Sequence, residues 1–238
     1  KSINGAINAT ILAKETDFEG VIVPMENYNE AKLISGVEII PVDEITELLD
    51  FLDGKTDVEI LRKKADKIDN FKIEKDVNVE ETIDFSDVKG QFLAKRALEI
   101  AAAGGHNVFL IGDPGSGKSM LAKRFNTILP EMPEEEIIET TKIYSISGML
   151  SQNEPIIRKR PFRAPHYSAT QVALVGGANR VGEITLALNG VFFLDEIGEF
   201  EGKTLEALRQ PLEDGKIVIS RANFSVTYPV KNITITAS

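Results

Sequence analysis

The stretch GDPGSGKS, Gly112 to Ser119, directly follows the apolar run NVFLIG, and no other stretch narrows the fold as much. A glycine, four residues, then Gly117, Lys118 and Ser119 is the spacing of a phosphate-binding loop, whose glycines let successive backbone N–H groups curl around phosphate oxygens. Such a loop needs a strand before it and a helix after it. NVFLIG reads as a parallel strand buried on both faces, and KSMLAKRFNTIL as a helix ended by Pro130. Asp113, Pro114, Gly115, Ser116, Gly117, Lys118, Ser119 and Met120 are therefore the expected nucleotide-binding residues, with Lys118 neutralising the β and γ phosphates.

A second constellation decides what the loop is for. GVFFLDEIGEF, Gly190 to Phe200, puts four apolar residues ahead of Asp195 and Glu196. The run reads as a central strand, and its carboxylates emerge at the C-terminal edge, where open α/β sheets bind ligands. A lone Asp-Glu pair would be a solvated strand end. Coupled to a phosphate loop, Asp195 is expected to hold Mg²⁺ with the Ser119 hydroxyl through water, and Glu196 to orient and deprotonate an attacking water. The chain has no cysteine and only two histidines, His106 and His166, too few for a zinc site, so a metal here is a hard ion on oxygens. His106 reads as a cap for the carbonyls of the preceding helix, His166 as structural.

The formal net charge of -10 argues against a surface that is basic all over, so any nucleic-acid contact must be local. Arg158, Lys159, Arg160 and Arg163, around Phe162, form the best local candidate. It reads either as a DNA phosphate contact or as a charged face or intersubunit salt-bridge surface. No run of about eighteen apolar residues and no signal-peptide pattern is present, which points to a soluble, cytoplasmic protein with no membrane partner.

Around these motifs the chain alternates strand and helix. Gly20 to Val42 reads as a β-α-β unit, ILAKE before it as helical, and DEITELLDFL after it as a helix with Ile45, Leu48, Leu49 and Leu52 toward a core. A βαβ unit this short leaves a half-covered sheet, so Lys1 is expected not to be the natural start. Between Gly54 and Glu81 the charge density rises with little periodicity, the mark of a linker or a solvated helix. Three regions follow: 1–55, a charged linker over 56–83, and 84–238. In the last, QFLAKRALEIAAA reads as a helix with Leu93, Ala97, Ile100 and Ala101 on one face and Gly104-Gly105 as its stop. LEALRQPLEDG reads as a helix with Leu205, Leu208 and Leu212 on one face. KIVISR and FSVTYPV read as a β-hairpin beside the active-site strand, and ITITAS as a buried strand.

The chain resembles the magnesium-chelatase-like AAA+ ATPases, and within them the ComM/YifB family. The stretches that carry the resemblance are FSDVKGQ, GDPGSGKS, RPFRAPH, ALVGGANRVGEITLALNGVFFLDEIGEF and LRQPLEDGKIVISR, which span most of Asp84 to Ser238. The phosphate loop is shared by many ATPases, whereas RPFRAPH followed by ALVGG and PLEDG is close to family-specific. Where the family usually has PHH, GGG, PGE and AHNG, this chain has His166-Tyr167, Gly176-Gly177-Ala178, Val181-Gly182-Glu183 and Leu188-Asn189-Gly190. The resemblance implies an α/β fold: a P-loop AAA+ core with a parallel sheet and a β-hairpin insertion. Ahead of it stands part of a Lon-protease-like, ribosomal-protein-like α/β domain. It implies ATP and Mg²⁺ as cofactors, adenine contact by the backbone of Val88 and Gly90, a hexamer in the full-length protein, and a motor that remodels or branch-migrates DNA in natural transformation. A chelatase-type motor for metal insertion into a tetrapyrrole, or a nucleotide-binding regulatory module without turnover, are the alternatives. It also implies that the sensor asparagine, arginine finger and helical lid lie beyond Ser238. Protease activity is not expected, because Ala9 stands where Lon-like proteases carry a catalytic lysine.

Overall fold

The computed structural model describes residues 1–73, 83–151, 154–177, 180–220 and 225–238, and only the backbone of 68–73. It divides into two compact units, Lys1–Glu80 with Ile137–Arg158, and Glu81–Glu136 with Lys159–Ser238.

In unit 1 the expected β-α-β order is present. Helix α1 (Ala6–Glu15) leads into β1 (Gly20–Pro24), the single turn α2 (Tyr28–Ala31) and β2 (Glu38–Val42), which pairs parallel with β1. Val23, Met25, Tyr28, Ala31, Ile39 and Ala65 form its core. Ala65 comes from α4 (Val58–Ile73), so the first part of the expected linker is a helix packed on the sheet rather than a solvated spacer. The Arg62 guanidinium donates to the Ile39 carbonyl at 3.0 Å, which fastens α4 to β2. Residues 74–82, the rest of that linker, lie outside the described residues, as do Ala178 and Arg221.

Helix α3 (Ile45–Leu52) forms where its periodicity predicts but turns most of its apolar stripe outward: Leu48 is half-buried, while Ile45 is 69%, Leu49 54% and Leu52 64% exposed. Its attachment is polar. The Lys64 ammonium donates to Glu47 at 2.5 Å, which holds the Glu47 carboxyl below its ordinary range and raises Lys64 above its own.

Unit 2 is a three-layer α/β/α arrangement. Its elements are α5 (Phe92–Gly104), β3 (Val108–Leu110), α6 (Lys118–Phe125), the first three residues of α7 (Glu134–Ser147), whose remainder belongs to unit 1, then β4 (Phe162–Arg163) and α8 (Gln171–Val175). They continue with β5 (Gly176–Gly177), β6 (Arg180–Val181), α9 (Glu183–Leu186), β7 (Val191–Leu194) and α10 (Gly202–Asp214). The last three are β8 (Lys216–Ser220), β9 (Ser225–Pro229) and β10 (Ile233–Ala237). Four strands form a parallel sheet in the order β3-β10-β7-β4.

Strand side chains alternate between faces, and β7 shows it directly. Val191 and Phe193 pack with Leu98, Ala101, Leu121 and Phe125 of α5 and α6, while Phe192 and Leu194 pack with Leu174, Ile184 and Leu208 of α8, α9 and α10. Helices on both faces explain why the run VFFL contains no polar residue. The hairpin of β8 and β9 is antiparallel as expected, and Ile217 enters the second of these clusters. On α10 Leu208 is buried and Leu212 is 39% exposed, so the expected three-leucine face is only partly used.

Two burial expectations are overturned here. NVFLIG is not buried on both faces: β3 stands at an edge of the described sheet, and Phe109 is 56% and Ile111 78% exposed. On α5 the inward stripe is Leu98, Ala101 and Ala102, while Leu93 and Ile100 are 87% and 54% exposed. The periodicity was compatible with two stripes, and the alanine-rich one wins because it lets the helix approach the sheet closely.

The chain passes between the units more than once. The chain leaves unit 2 inside α7, after Glu136, and returns at Lys159. Within unit 1 this excursion is anchored to α1. The Gly5 N–H donates to Ser145 Oγ at 2.9 Å, the Asn8 amide to the Lys142 carbonyl at 3.3 Å, and Thr140, Thr141, Ile143 and Ile157 are buried.

Candidate nucleotide-binding site

The loop between β3 and α6 owes its shape to its glycines. Gly115 (φ +79°) and Gly117 (φ +92°) both occupy left-handed backbone, which a side chain would strain, and Gly117 is the N-cap of α6. The start of the loop is tied to the end of β10: Gly112 N–H donates to Ser238 O at 3.4 Å and Ser238 N–H to Leu110 O at 3.1 Å. Lys118 Nζ lies over the loop, donating to the carbonyls of Gly112 at 2.6 Å and Asp113 at 3.1 Å. Its charge is thus held at the same loop whose end, at the start of α6, leaves backbone N–H groups without helical partners.

From the other strand comes Asp195. Its two carboxylate oxygens are held separately. The Ser119 hydroxyl donates to Oδ2 at 2.6 Å, and the Glu196 N–H donates to Oδ1 at 3.1 Å. Residues 76 positions apart in sequence are thereby joined at the C-terminal edge of the sheet. Glu196 takes up left-handed backbone (φ +51°) and is exposed, which turns it away from the strand it follows. A hydroxyl beside a carboxylate is a hard-oxygen pair of the kind Mg²⁺ selects, so the residues present fit that ion. Among the described residues no cluster of three or more His, Cys, Asp or Glu offers an alternative metal site.

The FSDVKGQ segment approaches the loop through a residue that the motif reading did not single out. Gln91, itself at φ +52°, donates from Nε2 to the Ser116 carbonyl at 3.1 Å. Asp84 and Asp87 close a capping box on the short turn before it, and the hydrogen bonds from Ser86 hold the Asp84 carboxyl below its ordinary range. Val88 is 3% exposed, its N–H donates to Phe85 O and its carbonyl accepts from Lys95 Nζ at 3.2 Å. Gly90 (φ +68°) stands differently: a Cβ there would meet nothing within 4 Å. The signal for Gln91 and Lys95 lay in the sequence, since both sit within four residues of the GQ pair that starts α5.

Two residues of the basic cluster have acidic partners. Arg160, with its side chain 16% exposed, pairs with Glu136 at 2.9 Å and donates to the carbonyls of Pro130, Asn189 and Glu131. Arg163 pairs with Glu183 at 2.6 Å, where the two side chains are 26% and 14% exposed. Both guanidiniums are engaged by acidic partners inside unit 2, an arrangement nearer the salt-bridge reading of these two residues than the DNA one. His166 stacks on Tyr167 at 4.1 Å and meets Ser168 Oγ at 2.8 Å, a local arrangement of an exposed loop. At the end of α5 the capping is done by the His106 backbone N–H, which donates to Ala101 O at 2.9 Å.

The family described as magnesium chelatase, subunit ChlI, matches residues 84–238. Competence protein ComM of Haemophilus influenzae is 43% identical over 240 residues, covering 97% of this chain and 44% of that protein. The uncharacterized protein YifB of Escherichia coli is 42% identical over 233 residues, with the same two coverages. This chain therefore spans less than half the length of the curated relatives it matches. Among solved structures, a cryo-EM-based complex between subunits BchI and BchD of magnesium chelatase aligns with TM-score 0.52 and 22% identity, over 67% of this chain and 55% of that one. No described helix is long and apolar enough to cross a membrane.

Proposed function

Because the chain belongs to the magnesium chelatase ChlI family, in its ComM/YifB branch, and carries an AAA+ core, we propose that it binds and hydrolyses ATP. The observation that carries this reading is the Ser119–Asp195 contact of 2.6 Å, which joins the phosphate loop to the second acidic strand end. Bound Mg²⁺ would supply positive charge to the β and γ phosphates, with Ser119 and Asp195 as the residues that hold it. Lys118 and the loop N–H groups bind and orient those phosphates, and Gly90 and Gln91 border the base side. Glu196 takes the proton of a water whose oxygen attacks the γ phosphorus. The bond from that phosphorus to the β–γ bridging oxygen breaks, giving ADP and phosphate.

The likeness to a competence protein fits DNA as what the motor acts on, and the resemblance read from the sequence implies a ring as its working form. Unit 1 is proposed to have no peptidase activity, since Ala9 offers no group that can accept a proton. The deciding experiment measures ATP turnover by a full-length version with and without DNA. Stimulation by DNA supports the DNA-directed motor. Turnover that ignores DNA removes DNA from the reading, and no turnover at all removes the ATPase.

A further inference from the structure

The nucleotide site sits at the C-terminal edge of the sheet, and the opposite edge has a construction of its own. Arg160 precedes β4 there and reaches three other pieces of unit 2. Its Nε donates to Pro130 O at 2.6 Å and its Nη2 to Glu131 O at 3.4 Å, gripping the chain just past the end of α6. Nη1 donates to Asn189 O at 2.5 Å, at the entrance to β7. Its own carbonyl accepts from Asn126 Nδ2 at 2.7 Å, again at the end of α6. The next residue continues the pattern, with Pro161 O accepting from Val191 N–H at 2.8 Å. The backbones come so close here that a Cβ on Gly190 would lie 2.0 Å from Pro161 O.

The two elements joined by Arg160 are those whose far ends carry Ser119 and Asp195. α6 begins at Lys118 and Ser119, and β7 leads into Asp195. At 1.5 Å per helical residue and 3.3 Å per strand residue, the grip lies roughly 12 to 20 Å from the hydroxyl and carboxylate it would align. Nothing in that distance is soft. The sides of α6 and β7 that face each other are filled by Leu121, Ala122, Phe125, Val191 and Phe193, all buried, and close-packed interiors transmit displacement rather than absorb it.

We infer that Arg160 is a positioning residue of the nucleotide site, fixing the register of α6 against β7 so that Ser119 and Asp195 meet. The inference rests on the ATP-binding reading above. A planar guanidinium is required because it must meet several acceptors in different directions at once; a lysine keeps the charge and the Glu136 partner but reaches fewer of them.

The test is calorimetry on the full chain with a non-hydrolysable ATP analogue, with Mg²⁺ and with EDTA. The ratio of the two affinities reports the Ser119–Asp195 arrangement and not overall binding. Arg160→Lys is expected to shrink that ratio about tenfold, in the range seen for coupled networks, while the EDTA affinity changes less than about threefold. In a Ser119→Ala background the same substitution is expected to cost nothing further in the ratio. Asn126→Ala, which cuts the bond to the Arg160 carbonyl and leaves the guanidinium intact, is expected to lower the ratio in the same direction and serves if Arg160→Lys does not fold. A merely structural role would lower the melting temperature and leave the ratio unchanged, or would add to the Ser119→Ala loss; either result overturns the inference. Wild-type protein that binds the analogue equally with and without Mg²⁺ would overturn the ATP-site reading, and the inference with it.

Discussion

Strands β3 and β7 are spelled almost alike, VFL and VFFL, and each runs into a loop that carries one half of the candidate site. Their surroundings differ. β7 has β10 on one side and β4 on the other, and all four of its side chains are buried. β3 has β10 alone among the described strands, with Phe109 56% exposed. An apolar run thus marks a strand of a parallel sheet without saying where in the sheet it lies. The halves of the site differ in kind as well. Beyond β7 the geometry is held by side-chain hydrogen bonds converging on Asp195, beyond β3 by glycine backbone and by ties to β10.

The largest effect that contrast predicts is chemical and lies on the β7 side. Glu196→Gln keeps shape and hydrogen bonding but removes the base, so steady-state ATP turnover should fall by about 10²–10⁴ while the nucleotide stays bound. Equal turnover by the variant would break the assignment of chemistry to this half. Next in size is packing. Phe192→Ala empties a fully buried position in β7 and should cost about 3–5 kcal/mol in denaturant unfolding. On the β3 side Lys118→Ala should weaken ATP binding by calorimetry about tenfold or more, through loss of the loop's cation. Unchanged affinity would mean that the β3 half does not hold phosphate.

Phe109→Ala sharpens the contrast from the other end. With more than half its surface in water, it should change unfolding free energy by only about 0.5 kcal/mol, against several for Phe192. A cost matching that of Phe192 would erase the distinction between the strands. The smallest effect is acid-dependent. Asp84 has a depressed pKa, so the stability it contributes is present above its unfolded value, near 3.9, and disappears as pH falls through the lower folded value. Asp84→Ala should therefore be slightly less stable than wild type at pH 7, and the gap should close below about pH 4. A gap independent of pH would place the effect elsewhere than in the carboxylate.

Much of this was legible before any coordinates. The glycine loop, both strands flanking the site, the β8–β9 hairpin and the meeting of Ser119 with Asp195 follow from local spacing and from the rule that parallel sheets bind ligands at one edge. What failed was orientation. The apolar stripes of α3 and α5 were read correctly as stripes, but a helix carries no record of which stripe finds a partner, and Ile45, Leu93 and Ile100 face outward. For Arg160 and Arg163 the sequence leaves a DNA contact and a salt-bridge surface both open, because their acidic partners, Glu136 and Glu183, lie some twenty residues or more away. Gln91 lies within FSDVKGQ, but its role depends on the carbonyl of Ser116, which no side-chain pattern announces.

The excursion of residues 137–158 has a consequence for how the chain is made. Unit 1 begins to emerge from the ribosome first, yet it lacks Thr140, Ile143 and Ile157 until the chain has run on well past the phosphate loop. Between residues 80 and 158 roughly 80 residues are added, a wait of about 4–16 s at 5–20 residues per second. Throughout it the side of α1 that will receive Ser145 and Lys142 stays uncovered. Unit 2 waits longer still, since its sheet lacks β10, the strand between β3 and β7, until the last residues described here are made. Neither body can finish as an uninterrupted stretch of nascent chain, so both depend on holding partly built structure while the other is being written.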